Sequence, residues 1–155
     1  MNTKELLVEN VHQQFIKMLH AEEMNIQKQQ EIFKKRLGDY SLTQIHMLIA
    51  LKSSDQANNA SLSQSLGLSK AAISKAISKL WDDNLIASYQ QEHNKKTVFY
   101  RLTESGIELA EEAYALHLTI HKKYQAFLNQ FDATELSTIE NFLVKVTGFI
   151  ESEYA

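Results

Sequence analysis

Apolar side chains return every three or four residues over most of this chain, which is the spacing of amphipathic helices. The first such stretch, residues 4–37, contains no proline or glycine and predicts one long helix that ends at Gly38, with a break near Ala21 left open. A second, shorter helix is predicted to be capped by Thr43 and to end at Leu51. The long helix has too few local partners to bury its apolar side, so we expect it to pack against later helices or a second subunit.

Residues 62–80 predict two short helices joined at a sharp corner. Gly67 suits that corner, because the residue after a helix often adopts a positive φ that only glycine reaches without steric cost. Ser69 follows as a candidate N-cap of the second helix. One side of this second helix carries Ile73, Ala76, Ile77 and Leu80, and the other carries Ala71, Ser74, Lys75 and Ser78. We therefore expect the first side to pack and the second to be free to contact a ligand.

Two runs rich in aromatic and β-branched residues, 87–90 and 97–103, come next and predict a pair of antiparallel strands. The polar segment 91–96 predicts the turn between them, with Lys95 and Lys96 at its tip. A β-hairpin directly after a helix-turn-helix is a wing, and lysines at its tip are placed to reach DNA phosphates or a minor groove. For the helix pair taken alone, an ordinary helical hairpin with a solvated lysine face is the alternative.

The last third of the chain predicts two further helices. The first covers residues 104–131, and His117 and His121 lie one turn apart in its inward-looking stripe. A second apolar strip makes this face broader than one small domain needs, which favours a dimer interface. A capping pattern at residues 132–135 then opens a final amphipathic helix.

The composition narrows the range of functions. The 155 residues carry a formal net charge of -3, which argues against an unspecific polyanion binder but allows a specific one whose basic groups gather on one edge. The absence of cysteine excludes disulfides and thiolate chemistry. With no apolar run of membrane-spanning length and no signal-peptide pattern, the sequence predicts a cytoplasmic protein without a membrane partner.

Charge and residue size on the predicted helix pair point to DNA as the partner. Three lysines occur on the second helix with no acidic residue before Asp82, and small side chains beside them let the helix approach a major groove closely. The predicted DNA contacts lie on this helix and the wing: Ser69, Lys70, Ala71, Ala72, Ser74, Lys75, Ser78, Asn94, Lys95 and Lys96.

The order and spacing of these motifs resemble the MarR family of winged helix-turn-helix transcription regulators. The matching segments are Leu42-Thr43-Gln44, the run from Leu62 to Leu80, Asp83-Asn84-Leu85-Ile86, and the strand end from Tyr100 to Gly106. The family's wing commonly carries Asp-x-Arg where this chain has Asn94-Lys95-Lys96. Lysine lacks the fork geometry of arginine, so phosphate contact is favoured over minor-groove insertion here.

The resemblance implies a mainly α fold with a small β-hairpin wing and dimerisation helices at both ends of the winged helix-turn-helix. The expected division is an N-terminal dimerisation helix at residues 1–38, a DNA-binding region at 41–104 and C-terminal dimerisation helices at 105–155.

His117 and His121 are also a candidate metal half-site, because histidines four residues apart on a helix can present ring nitrogens to one divalent ion. A zinc-peptidase motif needs glutamate directly after the first histidine, and Leu118 stands there, so the metalloprotease interpretation fails. On the spacing alone, two histidines hydrogen-bonded in a core or an interface remain the alternative.

These histidines bring a narrower resemblance, to zinc-responsive repressors of the AdcR type within the MarR family. That resemblance implies one zinc site with the ligands Glu31, His46, His117 and His121. His46 stands early in the helix after the Leu-Thr-Gln segment, and Glu31 is the match near the end of the first helix. The cysteine of that pattern is absent, and Ile45 replaces the glutamate beside the early histidine, so a second metal site is not expected.

The sequence therefore predicts a homodimeric repressor that binds a pseudo-palindromic operator in double-stranded DNA, with binding promoted by zinc and metal-uptake genes as targets. In the alternative, a small aromatic or phenolic ligand releases the protein from DNA and binds near Tyr40, His46 and Tyr114. No nucleophile motif, glycine-rich phosphate loop or convincing carboxylate pair accompanies the histidines, so an enzyme is not expected. A further alternative is a purely helical interaction protein that does not bind DNA, and the predicted wing argues against it.

Overall fold

A computed structural model describes residues 2–153 of the chain and has a mainly helical fold with one two-stranded hairpin. Its elements in chain order are α1 (Thr3–Leu37), α2 (Leu42–Lys52), α3 (Asn59–Leu66), α4 (Lys70–Asp82), β1 (Ile86–Gln91), β2 (Asn94–Leu102), α5 (Glu104–Leu128) and α6 (Ala133–Glu153). This architecture confirms the predicted fold class, a winged helix-turn-helix flanked by helices at both ends.

The chain divides into two compact units, Met1–Tyr114 and Ala115–Ala155, with the boundary inside α5. The first unit contains α1, the winged helix-turn-helix and the start of α5, and the second contains the rest of α5 and α6. The predicted functional division at 1–38, 41–104 and 105–155 stays a prediction. Within residues 2–153, no helix combines the length and the apolar character needed to cross a membrane.

Helix α1 runs without interruption through Ala21 and ends at Gly38, where φ is 99°. It begins with a reciprocal cap, because Asn2 Oδ1 accepts from the Glu5 amide at 2.9 Å and the Glu5 carboxylate accepts from the Asn2 amide at 2.8 Å. Of the described residues of α1, only Phe33 and Leu37 are buried. Most of this helix therefore has an apolar side that the single chain leaves exposed.

The predicted cap of α2 was wrong by two residues. Ser41 is the N-cap, since its hydroxyl accepts from the Gln44 amide at 3.2 Å and Gln44 Oε1 accepts from the Ser41 amide at 2.9 Å. Thr43 lies inside the first turn instead. A glutamine three residues after Ser41 completes a capping box, which explains why the helix begins there.

The core of the first unit lies where α2, α3, α4 and the hairpin meet. It contains the fully buried side chains of Met47, Leu48, Leu62, Ile73 and Leu80, and Ala110 of α5 packs against them. The start of α5 is also tied to α2 by an ion pair between Lys52 and Glu111, with 3.6 Å between nitrogen and oxygen. This packing holds α4 with its predicted apolar side inward.

The corner between α3 and α4 has the predicted geometry. Gly67 adopts the left-handed conformation, with φ 64° and ψ 32°, and Ser69 caps α4 by accepting a hydrogen bond from the Ala72 amide at 3.2 Å. At the other end of the chain, Asp132 and Glu135 form the predicted reciprocal cap of α6, with both hydrogen bonds at 2.9 Å.

The wing is an antiparallel hairpin with a tighter turn than the sequence predicts. Gln91 pairs with Asn94, so only Glu92 and His93 form the turn. Lys95 and Lys96 therefore lie in β2 and not at the tip. The sequence predicts a longer turn because segment 91–96 is polar and lacks the alternation of apolar residues that marks a strand. The backbone pairing of the two strands nevertheless extends into this segment.

Candidate nucleic-acid interface and metal centre

The predicted DNA-contacting residues of α4 lie on its solvent side. Ile73, Ala76, Ile77 and Leu80 are buried, whereas Ala71, Ser74, Lys75 and Ser78 are exposed. Ser69 and Lys70 are exposed at the start of the helix, and Ala72 is half-buried. An exposed helix face of small and basic side chains has the shape and the charge to enter a major groove.

The lysines at the start and middle of this face are available for phosphate contacts. Lys70 lies in the first turn of α4, which contains no acidic residue, so its charge adds to the positive end of the helix dipole. The ion pairs among residues 2–153 do not involve Lys70 or Lys75. Both ammonium groups can therefore contact an anion without first breaking an internal ion pair.

The end of α4 carries a three-residue network that sequence reasoning missed. Lys79 Nζ lies 2.9 Å from Asp83 Oδ2, and the same oxygen accepts a hydrogen bond from the Tyr40 hydroxyl at 2.8 Å. Lys79 Nζ also lies 5.6 Å from the centre of the Tyr40 ring. The four-residue spacing of Lys79 and Asp83 was a usable signal for the ion pair, whereas nothing in the sequence links either residue to Tyr40.

The network shifts the protonation of all three groups. Burial, followed by the hydrogen bond to Asp83, raises the pKa of Tyr40 to about 12. Hydrogen bonds from Lys79 and Tyr40 lower the pKa of Asp83, and the hydrogen bond to Asp83 raises the pKa of Lys79. Lys79 is thus kept protonated and is ion-paired with Asp83. Lys70 and Lys75 differ, because they take part in none of the ion pairs among residues 2–153.

In the wing, Asn94 has a structural role besides its predicted DNA contact. Its Oδ1 accepts from the amides of Lys96 at 3.3 Å and Thr97 at 3.2 Å, which closes the hairpin turn. Lys95 and Lys96 are both exposed, but they are neighbours in a strand and so point to opposite faces of the hairpin. This geometry lets only one of the two lysines point toward a given DNA surface.

Glu31, the first predicted metal ligand, lines a polar cleft of about 580 Å³ in the first unit. The lining side chains are Gln27, Gln30, Glu31, Lys34, Asp39, Tyr40 and Ser41. Lys34 and Asp39 form an ion pair with 3.5 Å between nitrogen and oxygen. His46 is not among the residues that line this cleft; it is exposed on α2, between the buried Ile45 and Met47.

His117 and His121 lie on α5 in the second unit, and both are exposed in the single chain. Their ring centres are 6.4 Å apart and their planes differ by 10°, so both rings project from one side of the helix. Of the predicted inward-looking stripe, Tyr114 and Tyr124 are also exposed in the part of the chain that the structure describes, whereas Ala110 is buried. Residues 2–153 contain no group of three or more acidic, histidine or cysteine side chains arranged to hold a metal ion.

The two clefts described among residues 2–153 do not bring together Tyr40, His46 and Tyr114, the residues of the alternative organic-ligand pocket. Tyr40 lines the cleft next to Glu31. A second cleft of about 480 Å³ lies near Leu51, Tyr89 and Arg101, and neither cleft is lined by more than one of Tyr40, His46 and Tyr114.

These features define a winged helix-turn-helix protein whose helix α4 has an exposed basic side. Residues 40–98 match the model of the MarR family. The chain is 38% identical over 104 residues to the uncharacterised transcriptional regulator YvnA of Bacillus subtilis, covering 67% of this chain and 66% of YvnA. It is 33% identical over 105 residues to the transcriptional regulator ZitR of Lactococcus lactis, covering 68% of this chain and 72% of ZitR.

The chain belongs to the MarR family, as its motifs predicted. A crystal structure of ZitR, described as a zinc-responsive MarR family member, matches with a TM-score of 0.60 at 31% identity, covering 72% of this chain and 77% of ZitR. ZitR in complex with DNA matches with a TM-score of 0.61 at 25% identity, covering 85% of this chain and 97% of that one. The chain is accordingly a transcriptional regulator and not an enzyme.

Proposed function

We propose that this regulator is a homodimeric repressor that binds a pseudo-palindromic operator in double-stranded DNA, that zinc promotes this binding, and that the targets are genes for metal uptake. DNA binding is supported by the exposed basic side of α4 and by the similarity to ZitR, whose structure is known in complex with DNA. The proposed contacts are the residues predicted from the sequence, with Lys70 and Lys75 on phosphates and the serines of α4 at base edges.

The proposed homodimer is supported by apolar side chains that the single chain leaves exposed. Leu7 and Val11 of α1 are 58% and 53% exposed, and α6 has no buried side chain among its described residues. Amphipathic helices of this kind need a partner, and a two-fold dimer presents two recognition helices to two half-sites about one DNA turn apart.

The observation that carries the zinc proposal is the pair of parallel imidazole rings of His117 and His121 on one side of α5. Imidazole nitrogen is a preferred zinc donor, and the proposed set is completed by His46 and the carboxylate of Glu31. The chemistry of these donors suits zinc. The four residues are divided between the two units, and residues 2–153 as described hold no complete ligand group.

The proposed mechanism is a change in population between states that differ in DNA affinity. Glu31 of α1, His46 of α2, and His117 and His121 of α5 would hold the zinc, and the ion would supply the coordination bonds that link these side chains. Fixing these helices sets the distance between the recognition helices of the dimer. Because operator half-sites have a fixed spacing, a ligand that favours the matching state increases DNA affinity.

The test is a zinc titration of the metal-free protein against a competing chromophoric chelator, repeated with His117→Ala. We expect tight uptake of about one zinc per chain, lost in the variant along with zinc-stimulated DNA binding. The matched control is His93→Ala, which removes an exposed histidine of the wing turn and should leave zinc uptake unchanged. Equal zinc uptake by the wild type and His117→Ala would contradict the zinc proposal and leave the DNA-binding proposal intact.

A further inference from the structure

The exposed side of α4 extends beyond its serines and lysines to a tryptophan. Trp81 lies in the last turn of this helix and is 48% exposed, although folded chains bury most of the surface of a tryptophan. The hydrogen bonds and ring contacts among residues 2–153 do not include its side chain. The indole ring and its N–H donor are therefore accessible to a partner.

Trp81 lies in line with two of the proposed DNA contacts. At about 100° per residue, the step of seven residues from Ser74 and the step of eleven from Lys70 each come within about 20° of whole turns. Lys70 and Trp81 are about 16 Å apart along the helix axis, and Ser74 lies between them. All three side chains are exposed. Trp81 therefore continues the surface on which DNA binding is proposed.

This line of side chains is longer than a major groove is wide, since the groove measures about 12 Å. Trp81 lies about 10 Å beyond Ser74 along the axis, so a helix that crosses the groove with Ser74 over the base edges brings Trp81 to the groove wall. Helix side chains tilt toward the N-terminus, which leans the indole back toward the groove. Sugars and phosphates form that wall, so they are the groups that Trp81 meets there.

The charges near Trp81 favour a neutral contact with a phosphate over an ionic one. Lys79 is already ion-paired with Asp83. Asp82 is exposed, but it lies about 100° around the helix from Trp81, on the side of Lys75. An indole N–H donates a hydrogen bond without adding positive charge, and the ring supplies apolar area that packs on a deoxyribose.

We propose that Trp81 is a further DNA contact of α4, in which the indole N–H donates to a backbone phosphate and the ring packs on the adjoining deoxyribose at the edge of the major groove. Such a contact carries no base information, so Trp81 fixes the position of α4 on the duplex and adds affinity for every sequence alike. This inference rests on the proposed DNA-binding function.

Three variants separate the two parts of this contact. Trp81→Phe keeps an aromatic ring but removes the N–H donor, and Trp81→Ala removes both. Ile107→Ala is the matched control, because Ile107 is 46% exposed in the same unit but lies on α5. Thermal melting checks that each variant is folded.

The first measurement is the affinity of the full-length protein, with zinc present, for a duplex that the wild type selects from a random pool and for a duplex of unrelated sequence. We expect Trp81→Phe to weaken binding about fivefold and Trp81→Ala at least about tenfold, by the same factor on both duplexes. The slope of log affinity against log salt concentration should stay unchanged, because a neutral donor releases no counterion. Ile107→Ala should bind as the wild type does.

The second measurement uses the intrinsic fluorescence of the chain. Trp81 is its single tryptophan, so the quenching of tryptophan emission by acrylamide reports on this side chain. Acrylamide is uncharged, and the phosphates of DNA therefore do not repel it. We expect bound duplex to lower the quenching constant of the wild type, because DNA then covers part of the ring.

Four results separate the ways in which the inference can fail. If DNA leaves the quenching constant unchanged, or if Trp81→Ala binds as tightly as the wild type, the inference is overturned while the proposed DNA-binding function stands. If Trp81→Phe binds like the wild type, no phosphate bond is made and the inference is overturned. A loss confined to the selected duplex would show base recognition and would overturn it as well. If the wild type binds neither duplex, the proposed function itself fails.

Discussion

The ammonium group of Lys79 is 2.9 Å from the carboxylate of Asp83, the C-cap residue of α4. Because the Tyr40 hydroxyl donates to the same carboxylate oxygen, this pair belongs to a link between α4 and the segment that joins α1 to α2. The charge of Lys79 is therefore partly neutralised before any DNA arrives. The three lysines of α4 therefore differ in how readily their ammonium groups can contact a phosphate, because Lys79 already has an ion-pair partner.

This difference predicts unequal salt effects for two lysine variants. Lys75→Ala should reduce the slope of log affinity against log salt concentration by about 1, as expected for one lost phosphate contact. Lys79→Ala should leave the slope close to the wild-type value, because its partner is Asp83. Fluorescence anisotropy with one operator duplex at several salt concentrations measures both slopes. An equal loss of slope in the two variants would show that the Lys79 ion pair opens on DNA.

The Tyr40 hydroxyl predicts a pH-dependent contribution to stability. Its pKa is raised from 10.0 to about 12 in the folded chain, so this contribution is complete below pH 10 and is lost as the pH rises from 10 to 12. Below pH 10, Tyr40→Phe should lower the free energy of unfolding by about 1 kcal/mol through loss of the bond to Asp83.

Thermal melting of the wild type and Tyr40→Phe from pH 8 to 12 checks the direction of this pH dependence of stability. The gap between the two proteins should shrink above pH 10, since only the wild type has this group to ionise. A gap that stays constant over this range would mean that the hydroxyl does not titrate as its environment indicates.

Gly106 at the start of α5 is expected to tolerate no side chain. A Cβ built there would be 1.9 Å from the carbonyl oxygen of Leu85, so the helix or the α4–β1 connection would have to move. Gly106→Ala should lower the free energy of unfolding by about 1 to 3 kcal/mol, the usual effect of overpacking.

Gly148→Ala is the matched control for this prediction. Gly148 also lies in a helix, but a Cβ built there would have nothing within 4 Å of it in the single chain. Alanine should therefore raise stability by roughly 0.5 to 1 kcal/mol through helix propensity. Chemical denaturation of both variants gives the comparison, and a similar loss in both would point to a general intolerance of the helices.

Two equally exposed residues of α6 should differ in their effect on dimer formation. Phe149 and Val144 are 62% and 67% exposed, but only Phe149 lies on the apolar side that includes Leu136, Val146 and Ile150. Phe149→Glu should raise the dimer dissociation constant at least about tenfold, because a charge would be buried in the proposed interface. Val144→Glu should leave it nearly unchanged. Sedimentation equilibrium measures both constants, and the opposite ranking would move the interface to the other side of α6.

Local patterns explain which parts of the fold were predictable. The periodicity of α1 and α4, the glycine corner at Gly67 and the cap at Ser69 depend on residues a few positions apart, and all are present in the structure. The wing was predicted from its strand composition. Its turn was not, because the length of a turn depends on the register between two strands, and Gln91 pairs with Asn94.

The placement of the candidate site residues was predictable only where it depends on local spacing. The exposed side of α4 follows from helical spacing, so its residues could be named from the sequence. The hydrogen bond between Tyr40 and Asp83 joins residues 43 positions apart, and the hydrogen bond between Asn59 and Ser74 joins α3 to α4. The exposure of His117 and His121 in the single chain could not be derived either, since it depends on what packs on α5 and not on the spacing of its own residues.

The 35 residues of α1 span about 52 Å, yet among the residues that the structure describes only Phe33 and Leu37 near the end of this helix are buried. An isolated subunit therefore holds a long helix whose stability depends on assembly, and by mass action that stability falls as the protein is diluted. In a cell, this makes the number of copies a functional variable. For the proposed dimer, folding stability and operator occupancy would therefore fall together on dilution, so the concentration of the protein would set the threshold of its response.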